Sequence, residues 1–289
     1  MLSSPASVSL VGRLVVAMAL LLPTATAFTV CGLSNDNNRV YRYSGSGNKW
    51  DQIGNAAKDI YGGYFGLVAT TPDKNVAVRW TPSDGWQQIG GGGAEFVSTN
   101  NAIYGLTSKK DAVVRWISGQ NWETIGGGAD RIFGGNGDRL IATSPGNSEA
   151  WLFSGNAGDW QKIGAGGVQF TVNEFNDIFA LGNGQSSTWR WTGRGTDWTQ
   201  IGGGAGKIMA GQNILHAAEP HFTEIYGYKI SSDSWSQEGG GAQDYASWGV
   251  TLYGLTPDGS TVYSKTDTGS WGSIGGDFGS GLTKIVVCP

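Results

Sequence analysis

Beyond residue 27, apolar side chains come in runs of four to six, cut apart by Gly, Asn, Asp and Ser. One stretch shows the pattern clearly. Ile103 to Thr107 is a short apolar run, followed by a polar turn over Ser108 to Asp111. Ala112 to Trp116 is a second run, Ser118 to Asn121 a second turn, and Trp122 to Ile125 a third run. Gly126, Gly127 and Gly128 break the pattern, and Asp130 to Phe133 is a fourth. Runs this short, bounded by turn residues, predict β-strands. No segment sustains the 3.6-residue apolar period of a helix, which excludes helical repeats.

The pattern recurs. Trp50, Trp86, Trp122, Trp160, Trp198, Trp235 and Trp271 each open the phrase Trp-x-x-Ile-Gly, with Glu238 replacing Ile in the sixth copy. Successive tryptophans are 36, 36, 38, 38, 37 and 36 residues apart. A repeat of this length with four short strands describes a propeller blade. Within strands, Trp189 and Trp191 share one face and Arg190 takes the other, while Trp122 and Ile125 lie on opposite faces because their offset is odd. Strands apolar on both faces need cover on both, and neighbouring blades in a ring provide it. The expected fold is therefore all-β: a single seven-bladed β-propeller of four-stranded blades over residues 28–289.

The two ends of the chain carry complementary fragments. Val30 to Leu33 matches Ile103 to Leu106, so the strand that precedes this run elsewhere is missing. Lys284 to Val287 matches Arg131 to Gly134 and supplies it. Pairing of the N- and C-terminal strands closes the ring and removes its free edges. The chain has two cysteines, Cys31 and Cys288. Their separation in sequence does not choose between a disulfide and two buried thiols. The repeat register does, because it places them on neighbouring strands of one blade and so predicts a bond.

Residues 1–27 read as a secretory signal peptide. Arg13 supplies positive charge, Leu14 to Leu22 an apolar run, and Ala25-Thr26-Ala27 a small-x-small cleavage site before Phe28. That run is too short to cross a bilayer and no later segment comes closer, so no membrane span is expected and the protein is expected to be secreted. Asn-x-Ser/Thr sequons are absent. The 49 glycines fit many turns, and the 13 tryptophans demand burial. With a net charge of −4 and no Lys/Arg cluster, nucleic acid is not an expected partner.

The elements Ile103-Tyr104-Gly105-Leu106-Thr107, Val113-Val114-Arg115-Trp116 and Trp122-Glu123-Thr124-Ile125-Gly126 resemble the tectonin repeat. That family comprises β-propellers, many of them lectins, similar in plan to the tachylectin-type propellers. The resemblance covers essentially all of residues 28–289 and implies carbohydrate binding.

Chemistry for catalysis is sparse. A propeller glycosidase needs two carboxylates across the scissile bond, whereas the acids here lie mostly in turns, as at Asp73, Asp84 and Asp258. Ser83-Asp84-Gly85-Trp86 lacks the spacing of the sialidase box Ser-x-Asp-x-Gly-x-x-Trp. The two histidines, His216 and His221, flank Glu219 without further ligands; His216 replaces the aromatic residue of Tyr104 and Phe179 and reads as a drifted core position. No acidic loop for calcium is present. The Gly runs at 90–93, 126–128 and 202–204 lead into strands, not into the helix a phosphate cradle requires. No enzyme activity, metal or cofactor is expected.

What remains is an Arg-aromatic step on the second run of the unit: Arg42-Tyr43, Arg79-Trp80, Arg115-Trp116 and Arg190-Trp191, degenerating to Leu152-Phe153, Gly227-Tyr228 and Ser264-Lys265. An aromatic ring stacks on sugar C–H faces and a guanidinium donates to hydroxyls. Filling the space between blades is the competing role for the same residues. Arg79, Trp80, Arg115, Trp116, Arg190 and Trp191 are the expected ligand contacts. The expected function is a non-catalytic lectin for glycans or glycoconjugates. A secreted scaffold binding a protein partner, such as a factor directed at a host or competitor, is the alternative.

Overall fold

The computed structural model describes residues 28–289; the proposed signal peptide lies outside them. Seven four-stranded antiparallel sheets form a ring, a seven-bladed β-propeller. Blade 3 is representative: Gly93–Ser98 is innermost, followed outward by Ile103–Thr107, Val113–Ser118 and Asn121–Gly126. The fourth run of each sequence unit is the innermost strand of the next blade. Thus Ile132–Phe133 opens blade 4, ahead of Ile141–Thr143, Glu149–Phe153 and Trp160–Ala165. Sequence unit and blade are out of phase by one strand.

Blade 1 draws on both ends of the chain. Leu282–Cys288 is its inner strand, pairing with Thr29–Ser34 from Thr29↔Cys288 to Ser34↔Leu282. Cys31 and Cys288 are disulfide-bonded, with Cα atoms 5.9 Å apart across a sequence separation of 257. The expected closure and bond are both present.

Each interface between neighbouring blades carries its own apolar cluster. Ile125 packs toward blade 4 with Leu140 and Phe153, whereas Trp122 packs toward blade 2 with Ile89 and Phe96. The Trp-x-x-Ile-Gly phrase has a structural logic beyond this alternation. The ladder skips Ile125, since Val113 pairs with Gly126 and Val114 with Thr124. Ile53, Ile89, Ile163, Ile201 and Glu238 are skipped in the same way. Each is the extra residue of a β-bulge, and a bulge leaves backbone groups outside the ladder. The indole of the next blade takes the freed carbonyl: Trp86 Nε1 donates to Ile53 O at 2.6 Å, Trp122 to Ile89 O at 2.6 Å and Trp160 to Ile125 O at 2.9 Å. Trp198, Trp235 and Trp271 continue the series, and Trp50 bonds Ile274 O at 2.9 Å across the closure. These bonds form a belt of seven around the outer strands. The glycine completes the motif, because a Cβ on Gly126 would lie 2.9 Å from Trp160 Nε1.

The inner strands surround a channel of about 270 Å³. Residues at or near their starts stitch neighbours together: Lys284–Asp59 at 2.8 Å, Arg131–Glu95 at 2.7 Å and Lys207–Asp244 at 2.6 Å. Asn136 Nδ2 reaches Ala210 O at 2.6 Å.

Candidate functional site

Period-two alternation points the aromatic of each Arg-aromatic step at the preceding blade and the arginine at the following one. Trp191 packs with Ile163 and Phe170 in the cluster between blades 4 and 5, while Arg190 turns toward blade 6. A guanidinium from one blade therefore meets an aromatic ring of the next. Arg42 lies over Trp80 at 5.5 Å from the ring centroid, and Arg79 over Trp116 at 5.3 Å.

The six expected residues divide into two groups. Arg79 donates Nε to Phe65 O at 2.6 Å and lies over the Phe65 ring, and burial pulls its pKa down. Trp80 is buried in the cluster around the disulfide. This pair is engaged in packing, and neither side chain lines the two clefts described next.

Arg115 and Trp116 line a cleft of about 710 Å³ between blades 3 and 4, with Ile117, Asp138, Arg139 and Phe153. Arg115 bonds Glu123 Oε2 at 2.6 Å and Gly155 O at 3.3 Å. Arg190 and Trp191 line a second cleft, of about 610 Å³, with Arg139, Phe175, Asp177 and Tyr228. Arg190 bonds Asp177 Oδ1 at 2.9 Å. Tyr228 donates to Asp233 Oδ1 at 2.5 Å; burial and then that bond push its hydroxyl up to about 12.

Both clefts open on the face that carries the turns joining first to second and third to fourth strands. Exposed apolar side chains gather there too: Ile117 at 54% and Phe175 at 61% border the two clefts, and Tyr64 and Val250 lie elsewhere on the same face. The opposite face is built differently. Its turns are tied by short hydroxyl-to-carboxylate bonds, as in Ser34–Asp36, Thr71–Asp73, Thr107–Asp111 and Thr256–Asp258. The Ser34 and Thr256 hydroxyls and the turn amides hold Asp36 and Asp258 near pKa 2. The turn acids at positions 73 and 258 are thus occupied as caps.

Arg139 and Phe175 escaped the sequence reading because both precede a second strand, outside the step. The signal for Arg139 lay in a gap. Blade 4 has Leu152 where its neighbours carry arginine, and Arg139 supplies the guanidinium instead, 5.5 Å over Trp191.

The departures of blades 6 and 7 from the repeat meet at one interface. His216, at the aromatic position, is 2% exposed with both ring nitrogens unpartnered. Glu238, at the Ile position, pairs with Lys265, at the next blade's aromatic position; both side chains are almost fully buried. Gly227, where other blades carry Arg, leaves the room that Glu238 takes: a Cβ there would lie 3.0 Å from Glu238 Cγ. Burial holds His216 down at about 4. The folded state resists the proton that the unfolded chain binds at 6.5. Stability from this group is complete above pH 6.5 and is lost as pH falls toward 4, by about 3 kcal/mol. Urea unfolding at pH 7 and pH 4.5 should show the loss, and His216→Phe should remove that component of the slope. An unchanged slope in the variant refutes the assignment.

Among the described residues, no cluster of three or more His, Cys, Asp and Glu is arranged to hold a metal, and no helix is long and apolar enough to cross a membrane. No family model and no curated protein matches the chain. Solved propellers do. Apo AztD from Citrobacter koseri superposes with a TM-score of 0.63 at 8% identity, covering 90% of this chain and 96% of its own. The CRINKLY WD40 ectodomain of the Arabidopsis thaliana receptor kinase ACR4 gives 0.58 at 13% identity, covering 86% and 95%. At these identities the likeness concerns the fold alone.

Proposed function

We propose that this chain is a secreted, non-catalytic carbohydrate-binding protein of the tectonin type, with its ligand sites in the clefts of one face. The observation that carries the reading is the make-up of the two clefts. Each combines an arginine and an exposed apolar side chain on its border with a tryptophan in its wall, Trp116 half-buried and Trp191 buried beneath Arg139, within a volume that suits a sugar unit or two. Aromatic faces take C–H surfaces and guanidinium groups take hydroxyls. Two or more weak sites on a rigid ring gain from simultaneous attachment to a glycan-bearing surface. The disulfide fits an oxidising compartment and so supports export.

Arg115→Ala and Arg190→Ala together should lower glycan affinity at least tenfold, about 1.4 kcal/mol, in calorimetry with array-selected sugars. Arg79→Ala should instead lower thermal stability and leave affinity per folded molecule intact. Full affinity in the double variant refutes the cleft assignment. The exposed Ile117 and Phe175 favour one second reading, a protein-binding face. Competition by free sugar for binding to glycan-bearing cells separates the two, since sugar displaces a lectin and leaves a protein-binding face occupied.

A further inference from the structure

Five guanidinium groups reach a step aromatic, or the turn after one, in the following blade. Four have partners inside the protein. Arg42 Nε donates to Pro289 O at 2.7 Å and Arg79 Nε to Phe65 O at 2.6 Å. Arg115 is paired with Glu123 and Arg190 with Asp177. Arg139 is the fifth. It lies over the Trp191 ring at 5.5 Å, and among the described residues it makes neither an ion pair nor a side-chain hydrogen bond. Asp177, the acid it senses most strongly, is already engaged by Arg190 at 2.9 Å and by Asn173 at 3.0 Å.

Arg139 is also the one residue common to both clefts. It stands on the wall of the 710 Å³ cleft beside Arg115 and on that of the 610 Å³ cleft beside Arg190. A half-buried guanidinium held against an indole has little rotamer freedom left to lose, and its edge donors remain unfilled. Such a fork matches a carboxylate or a sulfate, which accepts two parallel N–H bonds and neutralises the charge. A neutral sugar fills donors but leaves the charge unmet.

Resting on the lectin reading above, we infer that Arg139 makes these clefts selective for acidic glycans, whose carboxylate or sulfate group it grips. Blade 4 carries Leu152 in place of the step's arginine, and its Arg139 borders two clefts instead of one.

The test uses the whole protein and two pairs of probes: oligogalacturonate against its methyl ester, and sulfated lactose against lactose. The first pair reads a carboxylate, the second a sulfate. In calorimetry, the acidic member of at least one pair should bind tenfold or more tightly than its neutral counterpart, with the gap narrowing as salt is raised. Arg139→Met should bring that ratio close to one. Arg139→Lys, which keeps the charge but loses the fork, should retain part of it, and it decides the matter if the Met variant does not fold. Equal binding of acidic and neutral members, or a preference that survives R139M, overturns the inference and leaves the lectin reading standing. No binding of any glycan, on a broad array as well as with these probes, overturns both.

Discussion

Replacing Cys31 and Cys288 with serine should lower the free energy of unfolding by 2–5 kcal/mol, near the upper end. The bond joins residues 257 apart, so it closes almost the whole ring. The chain-entropy account gives about 5 kcal/mol for a loop of that size, and losses of 2–5 kcal/mol are usual when a native bond is removed. The strand pairing it locks is otherwise held by six register pairs and by Arg42 reaching Pro289 O. Among the described residues, blade 1 alone is built from strands that are not consecutive in sequence, so it is where opening costs least chain connectivity. Hydrogen exchange on the variant should show amides of Thr29–Ser34 and Leu282–Cys288 losing protection before those of blades 3 to 6. Uniform loss of protection around the ring refutes a local seam, and a cost below 1 kcal/mol refutes the clasp.

Trp122→Ala should cost 3–5 kcal/mol, the range for deleting a large aromatic from a packed interface. Trp122→Phe isolates the hydrogen bond. It keeps a ring against Ile89 and Phe96 but removes the donor to Ile89 O, and that carbonyl sits at a bulge where the ladder offers no substitute. Orphaning such a group costs about 1–3 kcal/mol. The same substitution at Trp86 or Trp198 should cost about as much, since the acceptor there is the carbonyl of another bulged isoleucine. Equilibrium denaturation of the three Phe variants is the check. Variants as stable as the parent show that the belt is packing alone.

Much of this was legible because the Trp-x-x-Ile-Gly phrase is a packing device repeated seven times in one chain. Strand count, ring closure and the disulfide all followed from its register. The bulge was not legible. Alternation correctly placed Trp122 and Ile125 on opposite faces, yet it treats each strand as an even ladder and so misses an extra residue. The candidate site was half legible. Arg115, Trp116, Arg190 and Trp191 do line clefts, but Arg79 and Trp80 share their motif and meet packing partners instead, because Phe65 fills the space over Arg79. A short motif fixes which way a side chain points, not what the neighbouring loop puts there. Arg139 shows the converse, a cleft residue supplied by a corner that the repeat does not constrain.

The offset between sequence unit and blade bears on how the protein is made. As the chain emerges, Thr29–Ser34 is the first strand of the ring to be synthesised, and its inner partner, Leu282–Cys288, is the last. Blades 2 to 7 can assemble in order during translation, each completed by strands adjacent in sequence, while blade 1 waits with one flank bare. Oxidation has to wait with it. A chain with two cysteines offers no wrong partner within itself, so scrambling, the common hazard of oxidative folding, is absent by arithmetic. The hazard left is linkage between two unfinished copies, and it ends when the final strand docks.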